Sequence, residues 1–365
     1  MPRPLAQEPP IKHALTLFAA ATLLALGATQ ASAAPTYRIK DLGVGPGGYS
    51  SQALAINDDN VVVGWIQRER YGDHHAVVFK AGSIVSIGTL PGDTSSYAYG
   101  INNLGQVVGY SGAAQTPRAF VYDAANGIQA LGTLDPAHPY SIAEGISDNG
   151  TIVGQSKTAT GVPHAFLWTA AKGMVDPTPN EPGWSDAPAI NSRGEWVGHL
   201  DRGDRTIGVR VSAKGKPTDL GAFDASAPYS YGKGLNEVGQ VAGYSADPAT
   251  LASRAFVWDK ATGMTDIGLL PGGFYSNGLA VNDAGQVVGI ADKPAGRGTT
   301  NGPFYFDKET GIVDLATLVD PADPLYGKVA FDAAQDINNH GVIVANGIIN
   351  EKYHAFLLIP KKKGK

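Results

Sequence analysis

Three residues of this chain have the chemistry for acid–base or charge-based work in an otherwise apolar setting: Glu144, Lys233 and Asp332. A carboxyl and an ammonium held in one cleft can donate and accept protons, and a pair of carboxylates is the usual equipment for cleaving glycosidic bonds. Glu144 with Asp332 is the first such pair to consider, with Lys233 beside it. A second set is aromatic: Tyr49, Tyr97, Tyr140, Trp184, Tyr229, Tyr275 and Phe331. Rings of this kind, apolar in body and polar at the tip, suit a sugar face or a peptide. Catalytic motifs are absent from the string. There is no Gly-x-Ser-x-Gly elbow, no His-Glu-x-x-His and no phosphate loop. The reading therefore leans toward a binding module, with a hydrolase or lyase using those carboxylates as the alternative. No cofactor or metal is expected.

What positions these residues is a repeat. A motif of aromatic-Ser, a small-residue strand, Asn-x-x-Gly and Val-Val-Gly recurs with its Asn position at Asn57, Asn102, Ser147, Asn191, Asn236, Asn282 and Asn338. The successive gaps are 45, 45, 44, 45, 46 and 56, a period that signals a repeat architecture. The aromatic lies about seven residues before the Asn, and Ser51, Ser96, Ser141, Ser185, Ser230 and Ser276 lie six before it, with Asp332 in the last copy. Three before the Asn the copies disagree: Leu54, Tyr99, Glu144, Pro188, Lys233, Leu279 and Gln335. Polar residues there are candidates to line a central channel, and the aromatics to ring its mouth. The competing expectation is packing between units, with the serine hydroxyls capping loops.

Each repeat reads as four short strands. In the second these are Ala98 to Asn102, Gln106 to Tyr110, Ala119 to Asp123 and Ile128 to Leu134. Asn-x-x-Gly makes the first turn, since Asn bonds its own backbone and Gly takes the left-handed position. The first copy has Asn60 in place of that Gly, the residue that best tolerates the same conformation. The seventh repeat stops after three strands, and Tyr37 to Gly43 precedes the first. The expected fold is an all-β, seven-bladed β-propeller with four-stranded blades, its ring closed by pairing of the N- and C-terminal strands. A solenoid or a pair of sandwiches is the alternative. Blades are placed at 52–90, 98–134, 143–179, 187–221, 232–270, 278–318 and 333–359 plus 37–43, within a domain of 34–360. A basic tail follows at 361–365. Closed edges suggest a monomer.

Composition bounds the rest. Of 365 residues, 47 are Gly and 24 Pro, and none is Cys, so disulfides and thiolate metal sites are excluded. Arg3 and Lys12 precede an apolar run from Ala14 to Ala28, followed by Ala31-Ser32-Ala33. This predicts a secretory signal peptide over 1–33, cleaved after Ala33, and a secreted or periplasmic protein without stable membrane insertion. The leader carries Arg3, Lys12 and Glu8, so its loss takes the net charge from −5 to −6. A mildly acidic secreted chain is a poor nucleic-acid binder, and its partner should be an extracellular carbohydrate or protein.

The third strands read His164-Ala165-Phe166-Leu167-Trp168, Arg254-Ala255-Phe256-Val257-Trp258 and His354-Ala355-Phe356-Leu357. With Gly-Ile-Asn and Gln-Val-Val-Gly, the chain resembles the bacterial extracellular family named after the His-Ala-Phe repeat. That resemblance implies secretion and a propeller-like array, and no settled activity. Two copies depart from it, at Ile207-Gly208-Val209 and Gly302-Pro303-Phe304. The basic residues opening these strands (His75, Arg118, His164, Arg254, His354) are one per repeat. They are expected to bond neighbouring loops rather than gather on a metal. Arg202-Gly203-Asp204 is read as a charged turn rather than an adhesion signal.

Overall fold

The computed structural model describes residues 34–361 except 81, 225–228, 247–251 and 296–297. The leader expected over 1–33 and the last four residues of the basic tail lie outside them. Among the described residues the chain is all-β. Its single helical element is a 3-10 turn at Leu315–Leu318, and no helix is long and apolar enough to cross a membrane.

Each repeat folds into antiparallel strands that neighbour one another in chain order. The third is Ser141–Ile146, Ile152–Lys157, Pro163–Thr169 and Gly173–Val175. Five such sheets have four strands, and a sixth has eight. The eight-stranded sheet is two four-stranded runs joined by one parallel pair, Thr206 with Tyr229. In the second repeat the outer strand is Gly127–Ala130, shorter than the expected run to Leu134. Leu131 still bonds Ala119, but Gly132, at φ 84°, then turns the chain away.

The last sheet takes its fourth strand from the other end of the chain. Tyr37–Gly43 pairs antiparallel with Lys352–Pro360, from Tyr37 opposite Pro360 to Asp41 opposite Phe356. Tyr37 is fully buried and meets the Tyr305 ring edge-on at 6.3 Å. Lys361, the first residue of the basic tail, is tied to the body of the fold. Its backbone N–H donates to Thr36 and its ammonium meets Asp320 at 2.5 Å.

The apolar cores lie between consecutive sheets. One draws Ala55, Val63 and Ala76 from the first repeat and Ala98, Val107 and Phe120 from the second. The Phe of the third-strand triplet is the centre of this packing: Phe120, Phe166, Phe256 and Phe356 are all fully buried. The basic residues that open those strands reach acids on the outer edge. Arg118 meets Asp93 at 2.7 Å, His164 meets Asp176 at 2.8 Å, Arg254 meets Asp266 at 2.7 Å and His354 meets Asp41 at 3.0 Å.

The repeated Asn does more than build its own turn. Its Oδ1 accepts from backbone N–H groups two and four residues on, as at Leu104 and Gln106 from Asn102. Its Nδ2 donates to the Asn-position carbonyl of the next repeat: Asn57 to Asn102, Asn102 to Ser147, Asn191 to Asn236, Asn236 to Asn282, Asn282 to Asn338 and Asn338 back to Asn57. Ser147 lacks that donor, and Asn149 supplies it by bonding Ser192 at 3.1 Å. Asn60 sits at φ 59°, in the left-handed conformation the turn requires.

Candidate functional site

The innermost strand of every repeat carries a register shift at or beside the position three before the Asn. In the third repeat Ala143 faces Gly154 and Gly145 faces Val153, leaving Glu144 without a partner. The same happens at Leu54, Tyr99, Lys233 and Leu279, and the fourth repeat shifts between Asp186 and Ala189, next to Pro188. The seventh strand has two shifts, at Asp332 and Gln335. A bulge frees one residue from the ladder and re-aims its side chain. In six repeats the glycine of Val-Val-Gly leaves room for the displaced carbonyl, and in the seventh Ala345 stands there. A Cβ on Gly154 would lie 2.0 Å from the Ile142 carbonyl oxygen, and one on Gly109 would lie 1.9 Å from that of Tyr97.

The freed residues converge. Leu54, Tyr99, Glu144, Pro188, Lys233, Leu279 and Gln335 line one cavity of about 210 Å³, the upper compartment. Below it Ile56, Ile101, Ile146, Ile190, Leu235, Val281 and Ile337 form an aliphatic collar. Beyond the collar a second compartment of about 300 Å³ is lined by the Asn turns and by Asp58, Asp148, Glu237 and Asp283. These carboxylates are engaged with neighbouring turns. Asp148 accepts from the Asn103 backbone N–H, Glu237 from Ser192, Asp283 from Glu237 and Asp58 from Asn339. Asp336 stands where the other repeats have Gly or Ala and borders both compartments. It accepts the Ile56 N–H at 2.9 Å, and burial pushes its carboxyl up to about 6.

Glu144, Lys233, Asp186 and His199 form one electrostatic unit. Glu144 accepts a hydrogen bond from Gln155 at 2.9 Å. Burial first, and then the nearby Asp186 carboxylate, push Glu144 up to about 7. Burial works to raise Asp186 as well, but the His199 ring and the Lys233 ammonium carry it below the usual carboxylate range. Lys233 Nζ lies 3.6 Å from Asp186 Oδ2. Burial works against that ammonium, yet Asp186 and Glu144 together raise its pKa. His199 Nδ1 approaches Asp186 Oδ1 to 2.7 Å without the alignment of a good hydrogen bond, and the buried Nε2 has no partner. Asp186 and His199 do not line the cavity; they stand behind Lys233.

Asp332 does not join Glu144. It lies outside the cavity lining, with one oxygen accepting the Tyr353 hydroxyl at 2.7 Å. The carboxylate that neighbours Glu144 is Asp186, a residue without a counterpart in the other repeats. The aromatics do not line the cavity either. Phe331 is only 7% exposed and packs edge-on against Phe356 at 5.4 Å, so it belongs to the core. Tyr97 stacks between His74 and Tyr110. Tyr140 lies 5.0 Å beneath the Lys157 ammonium, the Tyr275 hydroxyl bonds Asn301, and Tyr229 forms the parallel bridge to Thr206. Tyr49 and Trp184 remain substantially exposed. The serines are latches. Ser141 Oγ accepts the Ala119 N–H of the preceding repeat at 3.0 Å and donates to Gly132 O at 2.8 Å, with the same pattern at Ser51, Ser96 and Ser276. Arg202 is held by Glu181 at 2.8 Å, which makes the Arg-Gly-Asp string part of a structural turn.

Sequence reasoning passed over Asp186, His199, Gln155 and Asp336. The available signal was the one that found Glu144: these are positions where otherwise similar copies differ. The residue after Val-Val-Gly or its equivalent runs Trp65, Tyr110, Gln155, His199, Tyr244, Ile290 and Asn346.

Comparison with known proteins agrees with the architecture. A family model described as a protein of unknown function, DUF3466, matches residues 230–354. No curated protein matches the chain. Among solved structures, the β-propeller domain of the Trilobed protease from Pyrococcus furiosus is similar at a TM-score of 0.53 and 10% identity, covering 87% of this chain and 96% of that one. Oligogalacturonate lyase from Vibrio parahaemolyticus is similar at 0.51 and 10% identity, covering 88% and 93%. TolB from Acinetobacter baumannii is similar at 0.45 and 11% identity over 80% of this chain, which spans 61% of the TolB chain. At such identities the likeness concerns the fold alone, which is of the β-propeller type.

Proposed function

We propose that this chain is a secreted, seven-bladed β-propeller of the His-Ala-Phe repeat kind that binds a small neutral, hydroxylated ligand, a sugar residue or its equivalent, in the upper compartment. The observation that carries the binding reading is the convergence of seven bulged residues of differing chemistry on one cavity. The repeats vary in chemistry at this position while sharing their turns and latches, which is how a scaffold accommodates a ligand. Lys233 donates, Asp336 accepts, and Glu144, Gln335 and Tyr99 can do either. Leu54, Leu279 and Pro188 offer an apolar face. One ammonium is set against Asp186, while Glu144, near 7, is half ionised at neutral pH and Asp336, near 6, is mostly ionised, so the compartment is mildly negative. That disfavours an anion and suits hydroxyl groups. Its volume of about 210 Å³ suits a ligand smaller than drug-sized molecules.

Ring closure draws support from the pairing of Tyr37–Gly43 with Lys352–Pro360 and from the Asn bonds that return to Asn57. Secretion rests on the leader sequence, and the expected partner remains an extracellular carbohydrate or protein rather than nucleic acid. Calorimetry against a panel of neutral mono- and oligosaccharides tests the binding reading. At least one should bind, and Glu144→Gln and Lys233→Met should each weaken it tenfold or more. Folded protein that binds none of them rejects the carbohydrate assignment.

A second reading has one observation in its favour: neighbouring carboxyls driven apart, Glu144 up and Asp186 down, as acid and base partners often are. Turnover of any panel member that collapses in Glu144→Gln would favour a hydrolase or lyase instead.

A further inference from the structure

Gln155 occupies a position that is aromatic or aliphatic in most other repeats, and it links the cavity to the surface. Its side-chain nitrogen donates to Glu144 Oε1 at 2.9 Å, and its carbonyl oxygen accepts from Trp184 Nε1 at 3.3 Å. The direction of this relay is set by chemistry. An indole N–H can only donate, so the Gln155 carbonyl must face Trp184 and its NH2 must face Glu144. The Trp184 ring is braced in turn by His199, edge-on at 4.5 Å. Trp184 is nevertheless 40% exposed, so a surface indole is two hydrogen bonds from a carboxyl in the cavity.

We propose that Gln155 is a positioning residue that occupies Glu144 Oε1 and leaves Oε2 to the cavity, and that Trp184 is the strut that holds Gln155 in this orientation. The Trp184 indole N–H then registers the protonation of Glu144. This role does not depend on which ligand binds, or on whether one does. The other groups that act on Glu144 are Asp186, Lys233 and His199, with Tyr99 and Tyr140 nearby. None of them bridges Glu144 to Trp184 by a hydrogen bond, so the bridge is specific to Gln155. The bond it donates favours ionised Glu144, and its loss should move Glu144 further upward.

NMR of the full chain tests this. The Glu144 side-chain carboxyl and the tryptophan indole N–H signals are followed from pH 5 to 9, with Trp184→Phe assigning the indole. In the wild type the Trp184 indole signal should shift with the same midpoint as Glu144. That step should vanish in Glu144→Gln and in Gln155→Met, which keeps the side-chain length without the hydrogen bonds. The Glu144 midpoint should rise in Gln155→Met and rise less in Trp184→Phe. Gln155→Leu serves if the Met variant fails to fold. A pH-invariant Trp184 indole, a step that survives Gln155→Met, or an unmoved Glu144 midpoint overturns the proposal.

Discussion

The ammonium of Lys233 lies 3.6 Å from the carboxylate of Asp186, which is itself almost wholly buried beside His199. Lys233 reaches this point from the bulge of the fifth inner strand, Asp186 from the fourth. Removing the lysine leaves a buried carboxylate with only the His199 backbone N–H, at 3.2 Å, and a poorly aligned imidazole as close partners. Lys233→Met should therefore destabilise the fold by about 2 kcal/mol in urea unfolding, less than for a fully buried pair because the lysine is partly exposed. Asp186→Asn added to that variant should recover part of the loss. A double mutant no better than the single would show that the two side chains do not act as a pair.

Glu144 gives the fold a pH dependence of known sign. Its carboxyl titrates near 4.5 as a free group and near 7 in place. The stability tied to its neutral form is complete below about 4.5 and is lost as the pH rises through about 7. Glu144→Gln stays neutral throughout. Thermal melts of the two proteins should converge near pH 4.5, and the variant should melt higher than wild type at pH 8.

Gly154 sits under the carbonyl that the bulge displaces. Gly154→Ala places a methyl 2.0 Å from the Ile142 oxygen. The inner strand must shift, at a cost of about 1–3 kcal/mol. The same exchange at Gly82, which has no atoms near its absent Cβ but takes φ 83°, tests backbone strain without crowding. Gly154→Ala should be the costlier of the two by chemical denaturation.

Asn236 is bonded to its own turn, to Gln240 and to the carbonyl of Asn282. Asn236→Ala empties all three positions in a buried setting and should cost about 1–3 kcal/mol. Hydrogen exchange should speed up at the turns of both the fifth and sixth repeats. Protection lost only in the fifth would mean that the Asn ladder carries nothing between repeats.

Tyr37 is the anchor of the strand that joins the two ends of the chain. Its ring is buried against Tyr305, Leu315 and Phe356 in one cluster. Tyr37→Ala should cost about 3–5 kcal/mol and expose the Lys352–Pro360 edge. A variant as stable as wild type would refute closure by this strand.

The fold was legible because its signals are local and repeated. Asn-x-x-Gly states a turn, Val-Val-Gly a buried strand, and the leftover Tyr37–Gly43 a missing partner. Even the exception at Asn60 followed from the conformation that the turn demands. The candidate site was half legible. Disagreement among copies pointed to Glu144, Lys233 and Gln335, and all three line the upper compartment. The aromatic-Ser pair pointed elsewhere. Its serines are buried latches between repeats, Phe331 is core, and Asp332 is bound to Tyr353.

The amino-acid sequence by itself determined the repeat, the turn chemistry, the four-strand unit and the positions where the units differ. Tertiary structure decided which side chains meet. A strand's side chains alternate between faces, so spacing alone would set Glu144 and Lys233 by simple parity. The bulge breaks that parity. In six repeats it sits beside the gap left by a glycine in the neighbouring strand, and in the seventh, opposite Ala345, a second shift at Asp332 accompanies it. Asp186 and His199 come from paired strands of the fourth repeat, and Lys233 from the fifth. Their meeting is a product of packing between repeats, which no single repeat encodes.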